Sequence, residues 1–103
     1  MKKLDCRTKK FSRHAVAKMF QRNITKSEID NVIVSGQVIN EYPDDSPFPS
    51  FLLFGFYNNR PLHIVIAFNN SEHICIIVTV YIPDPKLWTD NYIPKGWLCH
   101  KEN

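Results

Sequence analysis

The spacing of apolar residues changes once along this chain of 103 residues, at Gln37. Upstream of Gln37, apolar residues recur every three or four positions, a spacing that predicts amphipathic helices. Downstream, they alternate with other residues in four short runs separated by turn-forming residues, which predicts β-strands. A helical part followed by a strand part restricts the chain to the α+β class. We therefore expect two N-terminal helices packed on one face of a four-stranded antiparallel meander.

The first helix is expected over residues 13–22. Ser12 is a residue type that accepts hydrogen bonds from the first amides of a helix, and Phe11 before it is placed to pack against Val16. Asn23 tolerates the left-handed backbone conformation, so the turn after the helix is expected there. The predicted apolar face of this helix comprises Phe11, Ala15, Val16, Met19 and Phe20.

The second helix has a stronger start signal. Thr25 and Glu28 match a capping box, in which each side chain accepts a hydrogen bond from the backbone amide of the other residue. Apolar residues that follow at helical spacing extend the helix over residues 26–35. Gly36 is expected to end this helix in the left-handed conformation.

Four strands follow the helices, each bounded by turn residues. They are expected over residues 38–42, 50–57, 62–68 and 73–82. Alternation along the last strand gives an aliphatic face that should contact the helices, formed by Ile74, Ile76, Val78, Val80 and Ile82. The other face carries Thr79 and Tyr81, together with His63 from the strand before. This second face is expected to be partly open and to hold a candidate site.

Composition limits the possible classes of protein. With 44% hydrophobic and 13% aromatic residues, the chain should fold as a single domain over residues 11–92, between a basic arm (1–10) and a tail (93–103). A short helix or turn is expected over 85–92. The longest apolar run, 74–82, is too short to span a membrane, and the N-terminus does not resemble a signal peptide.

The cysteines predict a cellular compartment. Cys6, Cys75 and Cys99 are odd in number and form no CxxC pair, so we expect unpaired thiols in a reducing cytoplasm rather than a disulfide framework. The sequence has neither the ligand spacing of a zinc module nor a glycine-rich phosphate loop. No metal and no cofactor are therefore expected.

Charge is distributed unevenly along the chain. Residues 1–26 contain nine basic side chains and one acidic one, a net charge of +8. Residues 27–103 contain four basic and nine acidic side chains, a net charge of −5. A segregated positive surface is typical of proteins that bind a polyanion such as RNA. The alternative is a solvated helix face with a lysine-bearing tail.

The first helix carries a candidate for phosphate binding. His14, Lys18 and Arg22 are four residues apart, so they form one stripe along the helix. Two permanent cations and one titratable imidazole suit a phosphate, which an arginine can bind through two parallel hydrogen bonds. Arg13 joins Lys18 as a substrate-binding candidate. The structural alternative is an ordinary polar stripe of an amphipathic helix.

A second candidate lies on the open sheet face. His63 follows the turn that carries Arg60, and Thr79 and Tyr81 are expected beside it on the neighbouring strand. A histidine that exchanges protons near neutral pH, cations and a tyrosine suffice for a metal-free ribonuclease site. In that reaction a ribose 2′-hydroxyl attacks its own adjacent phosphate. A hydrogen-bonded structural histidine is the alternative.

Three ordered motifs resemble a bacterial family, the domain of unknown function 4258. They are residues 11–15 with Met19, Arg22 and the capping box, then residues 61–65 and residues 77–81. That family is similar to the RelE/ParE-like and BrnT-like toxins of type II toxin–antitoxin pairs. The resemblance implies a RelE-like endoribonuclease that cuts messenger RNA, free or on the ribosome. It also implies a small antitoxin partner, often one with an N-terminal CxxC zinc module.

The resemblance carries over, position by position, to the polar residues His14, Arg22, His63, Thr79 and Tyr81. Lys18 and Arg60 are added from their places in the predicted fold, as groups that bind phosphate. The leading hypothesis is a toxin that acts as a metal-independent endoribonuclease, with no membrane partner. The alternative is a non-catalytic module of the same fold that binds nucleic acid or protein.

Overall fold

The structure is a computed structural model that describes residues 4–83. Within this range the chain forms two helices and five strands. In chain order these are β1 (Thr8–Phe11), α1 (Arg13–Arg22), α2 (Lys26–Ser35), β2 (Gln37–Tyr42), β3 (Ser50–Tyr57), β4 (Arg60–Asn69) and β5 (Ile74–Tyr81). Neither described helix has the length and apolar character needed to cross a membrane. The short helix expected over 85–92 and the tail over 93–103 lie outside the described residues.

The sheet is mixed and has the strand order β1-β5-β4-β3-β2, so the predicted four-stranded antiparallel meander is wrong. Strands β2 to β5 are antiparallel to their neighbours, but β1 adds a parallel strand beside β5. Strand β1 is short and contains two lysines, so it has no alternating apolar pattern that would reveal it. Its first residue, Thr8, pairs with Ile74. Because this partner lies far along the chain, only folding brings the two strands together.

The predicted bounds of both helices are confirmed. Ser12 caps α1, and its Oγ atom accepts a hydrogen bond of 3.0 Å from the amide of Ala15. Asn23 ends α1 in the left-handed conformation, with φ of 53°. Thr25 and Glu28 form the predicted capping box of α2. These features depend on neighbouring residues alone, which explains why the sequence predicts them well.

Gly36 ends α2, but not in the predicted left-handed conformation. Its backbone is extended, with φ of −78° and ψ of −178°. A Cβ atom at this position would lie 2.5 Å from the carbonyl oxygen of Val32 and 2.7 Å from that of Phe54. Glycine is therefore needed here because α2 and β3 approach each other closely, and not because of its backbone freedom.

A β-bulge in β5 changes which side chains face the helices. The register between β4 and β5 shifts at Val78, which is an extra residue without a partner in β4. After the bulge, Val80 is buried in the core as predicted. Before the bulge, Cys75 and Ile77 are buried in the core, rather than the predicted Ile76. One inserted residue reverses the pattern because side chains along a strand point to opposite faces in turn.

Cys6 and Cys75 form a disulfide, with their Cα atoms 5.3 Å apart. The prediction of unpaired cysteines is therefore wrong for these two, and the cysteine count no longer supports a reducing compartment. The bond joins the segment before β1 to β5. Because the two cysteines are 69 residues apart, no local motif marks them as partners. Cys99 lies outside the described residues.

Candidate functional site

Helix α1 packs on the sheet along one side, and the two sides of the helix next to that contact differ in chemistry: one is basic and the other is apolar. Ala15 is fully buried and marks the side that packs on the sheet. The helical repeat of 3.6 residues places the other side chains to its left or right. The basic flank is formed by His14, Lys18 and Arg22. The apolar flank is formed by Val16 and Phe20.

No carboxylate from α1 lies beside the basic flank. No residue of α1 is acidic, and Arg22 lies in the last turn, where the helix dipole favours positive charge. His14 and Arg22 are exposed, and Lys18 is partly exposed. Among residues 4–83, the cations that take part in no ion pair are Lys10, Arg13, Lys18, Arg22 and Lys26. These cations are therefore available to an external anion.

Other cations of the basic N-terminal region are neutralised within the fold. The Arg7 Nε atom lies 3.5 Å from a carboxylate oxygen of Asp5. The Lys9 Nζ atom lies 3.3 Å from a carboxylate oxygen of Asp30 on α2. Ion pairing thus removes part of the positive charge near β1 and leaves it concentrated on α1.

Arg60 is engaged in contacts that hold the fold together. Its guanidinium forms an ion pair with Glu28 and donates hydrogen bonds to the carbonyl oxygens of Asn23 (2.9 Å) and Arg22 (3.4 Å). Glu28 is only 6% exposed and also completes the capping box of α2. Sequence spacing predicts Glu28 as a cap but gives no sign of Arg60 as its partner. A role of Arg60 in binding phosphate would compete with these contacts.

The outer face of the sheet, opposite the helices, carries a histidine–tyrosine pair. His63 is fully buried, and its Nδ1 atom lies 3.2 Å from the hydroxyl oxygen of Tyr81. Burial raises the pKa of Tyr81 above the ordinary 10.0, with a smaller contribution from Tyr42, so the phenol stays protonated even in mildly alkaline solution. The hydroxyl donates to Nδ1 when the imidazole carries its proton on Nε2, and it accepts a hydrogen bond when the proton is on Nδ1.

Phe54 and Thr79 belong to the same outer cluster. The ring of His63 lies edge-to-face with those of Phe54 (centroids 5.8 Å apart) and Tyr81 (5.2 Å apart). Thr79 is half-buried and lies two residues before Tyr81 on the same face of β5. The structure therefore places His63, Thr79 and Tyr81 on one face of the sheet. Their catalytic roles stay predictions.

The structure does not bring the basic flank and the outer cluster together. Leu62 and Ile64, on either side of His63 in β4, are fully buried in the core that includes the helices. His63 must point to the opposite face, because successive side chains of a strand alternate. One phosphate cannot contact both His14 and His63 in this arrangement. The predicted residues therefore form two separate groups.

Apolar exposure on α1 is a feature that the sequence does not predict. Val16 and Phe20 belong to the apolar face expected to be buried, yet their side chains are 44% and 84% exposed. The apolar residues of α1 span a wider arc than one side of a helix can bury against a sheet. Ala15 lies at the buried edge of that arc, and Phe20 lies about 140° away around the helix, at its exposed edge.

A metal ion would find no ligand set among residues 4–83. No three side chains of His, Cys, Asp or Glu gather in this part of the chain. Cys6 and Cys75 are joined to each other, whereas Cys99 and His100 lie outside the described residues.

Comparison with protein-family models matches residues 11–82 to the domain of unknown function DUF4258. The match runs from the last residue of β1 to the residue after β5, so it includes both the basic flank and the outer cluster. Searches of curated proteins and of solved structures found no match. The similarity to RelE-like and BrnT-like toxins therefore stays a prediction. Because the matched region covers well over half of the sequence, the chain belongs to the DUF4258 family.

Proposed function

We propose that this protein binds RNA through the basic flank of α1. The observation that carries the proposal is the row of His14, Lys18 and Arg22 on a helix without an acidic residue. No ion pair with another described residue occupies these side chains. Four residues of a helix rise about 6 Å, so the row can contact phosphates at more than one point along a strand.

Two arguments support RNA as the ligand rather than a small anion or DNA. Lys10, Arg13 and Lys26 also lack ion pairs among the described residues, which is more positive charge than a single phosphate requires. The choice of RNA over DNA rests on the resemblance of the sequence motifs to those of RNA-cleaving toxins. DNA of equal length and sequence is therefore the comparison ligand.

The proposal is tested with a labelled single-stranded RNA, whose binding is followed by fluorescence anisotropy at several salt concentrations. Each phosphate contact releases counterions, so the logarithm of the association constant should fall linearly with the logarithm of salt concentration. The double variant Lys18→Ala/Arg22→Ala should bind more weakly. Its slope should be shallower by about 1.4, because each contact with a single strand contributes about 0.7.

Arg7→Ala is the matched control for this experiment. Arg7 is exposed and basic, but it is paired with Asp5 and lies outside the basic flank. Its replacement should leave the salt dependence nearly unchanged. An equal loss of affinity in Arg7→Ala and in a single Arg22→Ala variant would mean that net charge alone attracts the RNA. Tighter binding of DNA than of RNA would contradict the choice of ligand.

A second candidate function is metal-independent cleavage of messenger RNA, as the toxin of a type II pair. The observation that favours it is the exposed His14 beside two cations on the same flank. In this reaction the ribose 2′-oxygen bonds to the adjacent phosphorus and the bond to the 5′-oxygen breaks. His14 can accept the 2′-hydroxyl proton or protonate the departing oxygen, while Lys18 and Arg22 stabilise the phosphate charge.

Cleavage is separated from binding by incubating messenger RNA with the purified protein, in one arm with a chelator and no ribosomes, and in the other with ribosomes in the Mg²⁺ that keeps them assembled. The expected products are one strand with a 2′,3′-cyclic phosphate and one with a 5′-hydroxyl. Such ends should disappear with His14→Ala, which leaves Lys18 and Arg22 in place. If the RNA stays intact with and without ribosomes, at protein concentrations that saturate RNA binding, the cleavage function is contradicted. Only the RNA-binding function is then left.

The toxin function also requires an antitoxin partner, and its support is the sequence resemblance. That resemblance implies a small protein encoded beside this one, with a CxxC zinc module as a common feature. Expression of the chain alone should arrest growth, and co-expression of the neighbouring short reading frame should relieve the arrest. Growth at the normal rate without the neighbour would contradict the toxin function but not RNA binding.

A further inference from the structure

A groove on the helix side of the molecule is lined mainly by apolar side chains. It has a volume of about 510 Å³ and lies between the end of β1, the apolar flank of α1 and the start of α2. Its apolar lining consists of Phe11, Val16, Met19, Phe20 and Ile24. Phe20 is 84% exposed, so no described residue covers it. A groove of this kind leaves apolar surface in water unless something binds there.

We propose that this groove docks an amphipathic helix with acidic flanks, supplied by another protein. Helices bind in apolar grooves through side chains spaced three or four residues apart, and exposed aromatic residues commonly anchor such contacts. Phe20 and Val16 are one helical turn apart on α1 and can pack against such a row. The proposal goes beyond RNA binding, because Val16 and Phe20 lie on the opposite side of α1 from the basic flank. Arg13 and Lys26 add positive charge for either ligand, so Phe20→Ser, which keeps both cations, is the variant that separates the two functions.

The charges at the rim of the groove favour an acidic partner. Arg13 lies seven residues before Phe20, which places it on the same side of α1. Lys26 lines the groove from the start of α2. Neither cation has an ion pair among the described residues, whereas Asp30, one turn after Lys26, is paired with Lys9. The rim therefore carries positive charge that an acidic helix flank would neutralise.

The same charges argue against a second copy of this chain as the occupant. Self-association through the groove would place Arg13 and Lys26 of one copy close to those of the other. Like charges brought together across an interface cost free energy. A nucleic-acid base stacked on Phe20 is the remaining alternative, and the experiment is designed to separate it from a helix.

Two synthetic peptides of about 20 residues, long enough to form a helix, serve as probes. Both carry leucines along one helical face, and the other positions are mainly glutamate in one peptide and lysine in the other. Isothermal titration calorimetry with the full chain should show the acidic peptide binding at least about tenfold more tightly than the basic one. Phe20→Ser should weaken binding of the acidic peptide about tenfold or more, as expected for an aromatic anchor.

Val34→Ser is the matched control, because Val34 is an apolar residue of α2 that is 65% exposed and does not line the groove. It should leave peptide affinity unchanged, and circular dichroism should show that both variants keep the native fold. Equal affinity for the two peptides, no binding of either, or equal loss in both variants would overturn the proposal. So would native self-association that Phe20→Ser abolishes, or a loss of RNA affinity in Phe20→Ser.

Discussion

His14 and His63 are both histidines that the sequence selects for proton transfer, but the folded chain gives them opposite surroundings. His14 is exposed on the basic flank of α1, beside Lys18 and Arg22. His63 is fully buried on the other face of the sheet, where Tyr81 and Phe54 contact its ring. An exposed imidazole beside cations is able to contact an RNA phosphate. A buried imidazole that is hydrogen-bonded to a neighbouring side chain instead stabilises the packing around it. Residue type thus predicts possible chemistry, and burial decides where that chemistry is available.

The arginines show the same difference. Arg22 is exposed and has no ion pair among the described residues, whereas Arg60 binds Glu28 and two backbone carbonyls. Breaking the Arg60 contacts would leave the nearly buried carboxylate of Glu28 without its cation, which is costly. Of the two arginines, Arg22 is therefore the one that the fold leaves available for phosphate.

The largest expected effect is on stability and comes from the disulfide that joins the segment before β1 to β5. Reduction of the Cys6–Cys75 bond should lower the free energy of unfolding by about 4 kcal/mol, the chain-entropy value for a closed loop of this size. RNA affinity at temperatures where the protein stays folded should change little, because the basic flank lies on α1. Urea denaturation with and without a thiol reductant measures the first effect, and anisotropy measures the second.

A Cys6→Ser variant serves as the control for the reduction experiment. It lacks the bond already, so the reductant should have no effect on its stability. Equal stability of the oxidised and reduced native chain would contradict the structural importance of the disulfide. If reduction abolished RNA binding while the protein stayed folded, the basic flank of α1 would need the disulfide for RNA binding and not only for stability.

The second prediction compares the two histidines directly. His63→Ala should lower the free energy of unfolding by about 3 kcal/mol, because it leaves a cavity and removes the hydrogen-bond partner of Tyr81. His14→Ala should change it by less than about 0.5 kcal/mol, since His14 is exposed. Both values come from chemical denaturation. If His63→Ala stayed folded and lost RNA affinity or cleavage, the separation of the two faces would be wrong.

A smaller effect is expected from Tyr81→Phe, which removes the hydroxyl and keeps the ring. The Nδ1 atom of the buried His63 would lose its hydrogen-bond partner, at a cost of about 1 to 2 kcal/mol. Tyr42→Phe is the matched control, because Tyr42 is exposed and its hydroxyl accepts a hydrogen bond from Asn40 alone among the described residues. Its effect should stay below about 0.5 kcal/mol. Equal effects in thermal or urea denaturation would mean that the His63 contact contributes nothing.

The smallest expected effect is a pH dependence caused by Tyr81. Its pKa in the folded protein lies above the ordinary value of 10.0, mainly because of burial. The folded state therefore holds this proton more tightly than the unfolded state, so its contribution to stability is complete below pH 10 and is lost as pH rises through the folded pKa. The stability difference between the native chain and Tyr81→Phe should shrink above pH 10. If denaturation experiments gave the same stability difference below and above pH 10, the raised pKa of Tyr81 would not contribute to the pH dependence of stability.

Local signals account for the parts of the fold that were predicted correctly. The bounds of α1 and α2 follow from apolar spacing, from the Ser12 cap and from the capping box of Thr25 and Glu28. Each of these signals involves residues within one turn of each other. By contrast, the bulge at Val78 receives a hydrogen bond from Ser12, a residue far away in sequence. No local pattern reveals that contact.

The candidate site could be predicted only in part, for the same reason. Helical spacing is sufficient to group His14, Lys18 and Arg22, and strand alternation is sufficient to group His63 with Tyr81. Whether the two groups meet depends on which face of the sheet receives the helices. The exposed Phe20 likewise depends on how α1 is rotated on the sheet, which the helical pattern leaves undetermined.

By itself, the sequence determined the two helices, the antiparallel order of β2 to β5 and the concentration of positive charge near the N-terminus. These properties depend on local spacing and on residue counts, both of which can be read without a fold. The tertiary structure alone decided the parallel pairing of β1, the bond between Cys6 and Cys75, and the separation of His14 from His63. Each of these requires contacts between distant parts of the chain, and such contacts form only when the apolar faces of helices and sheet are buried together.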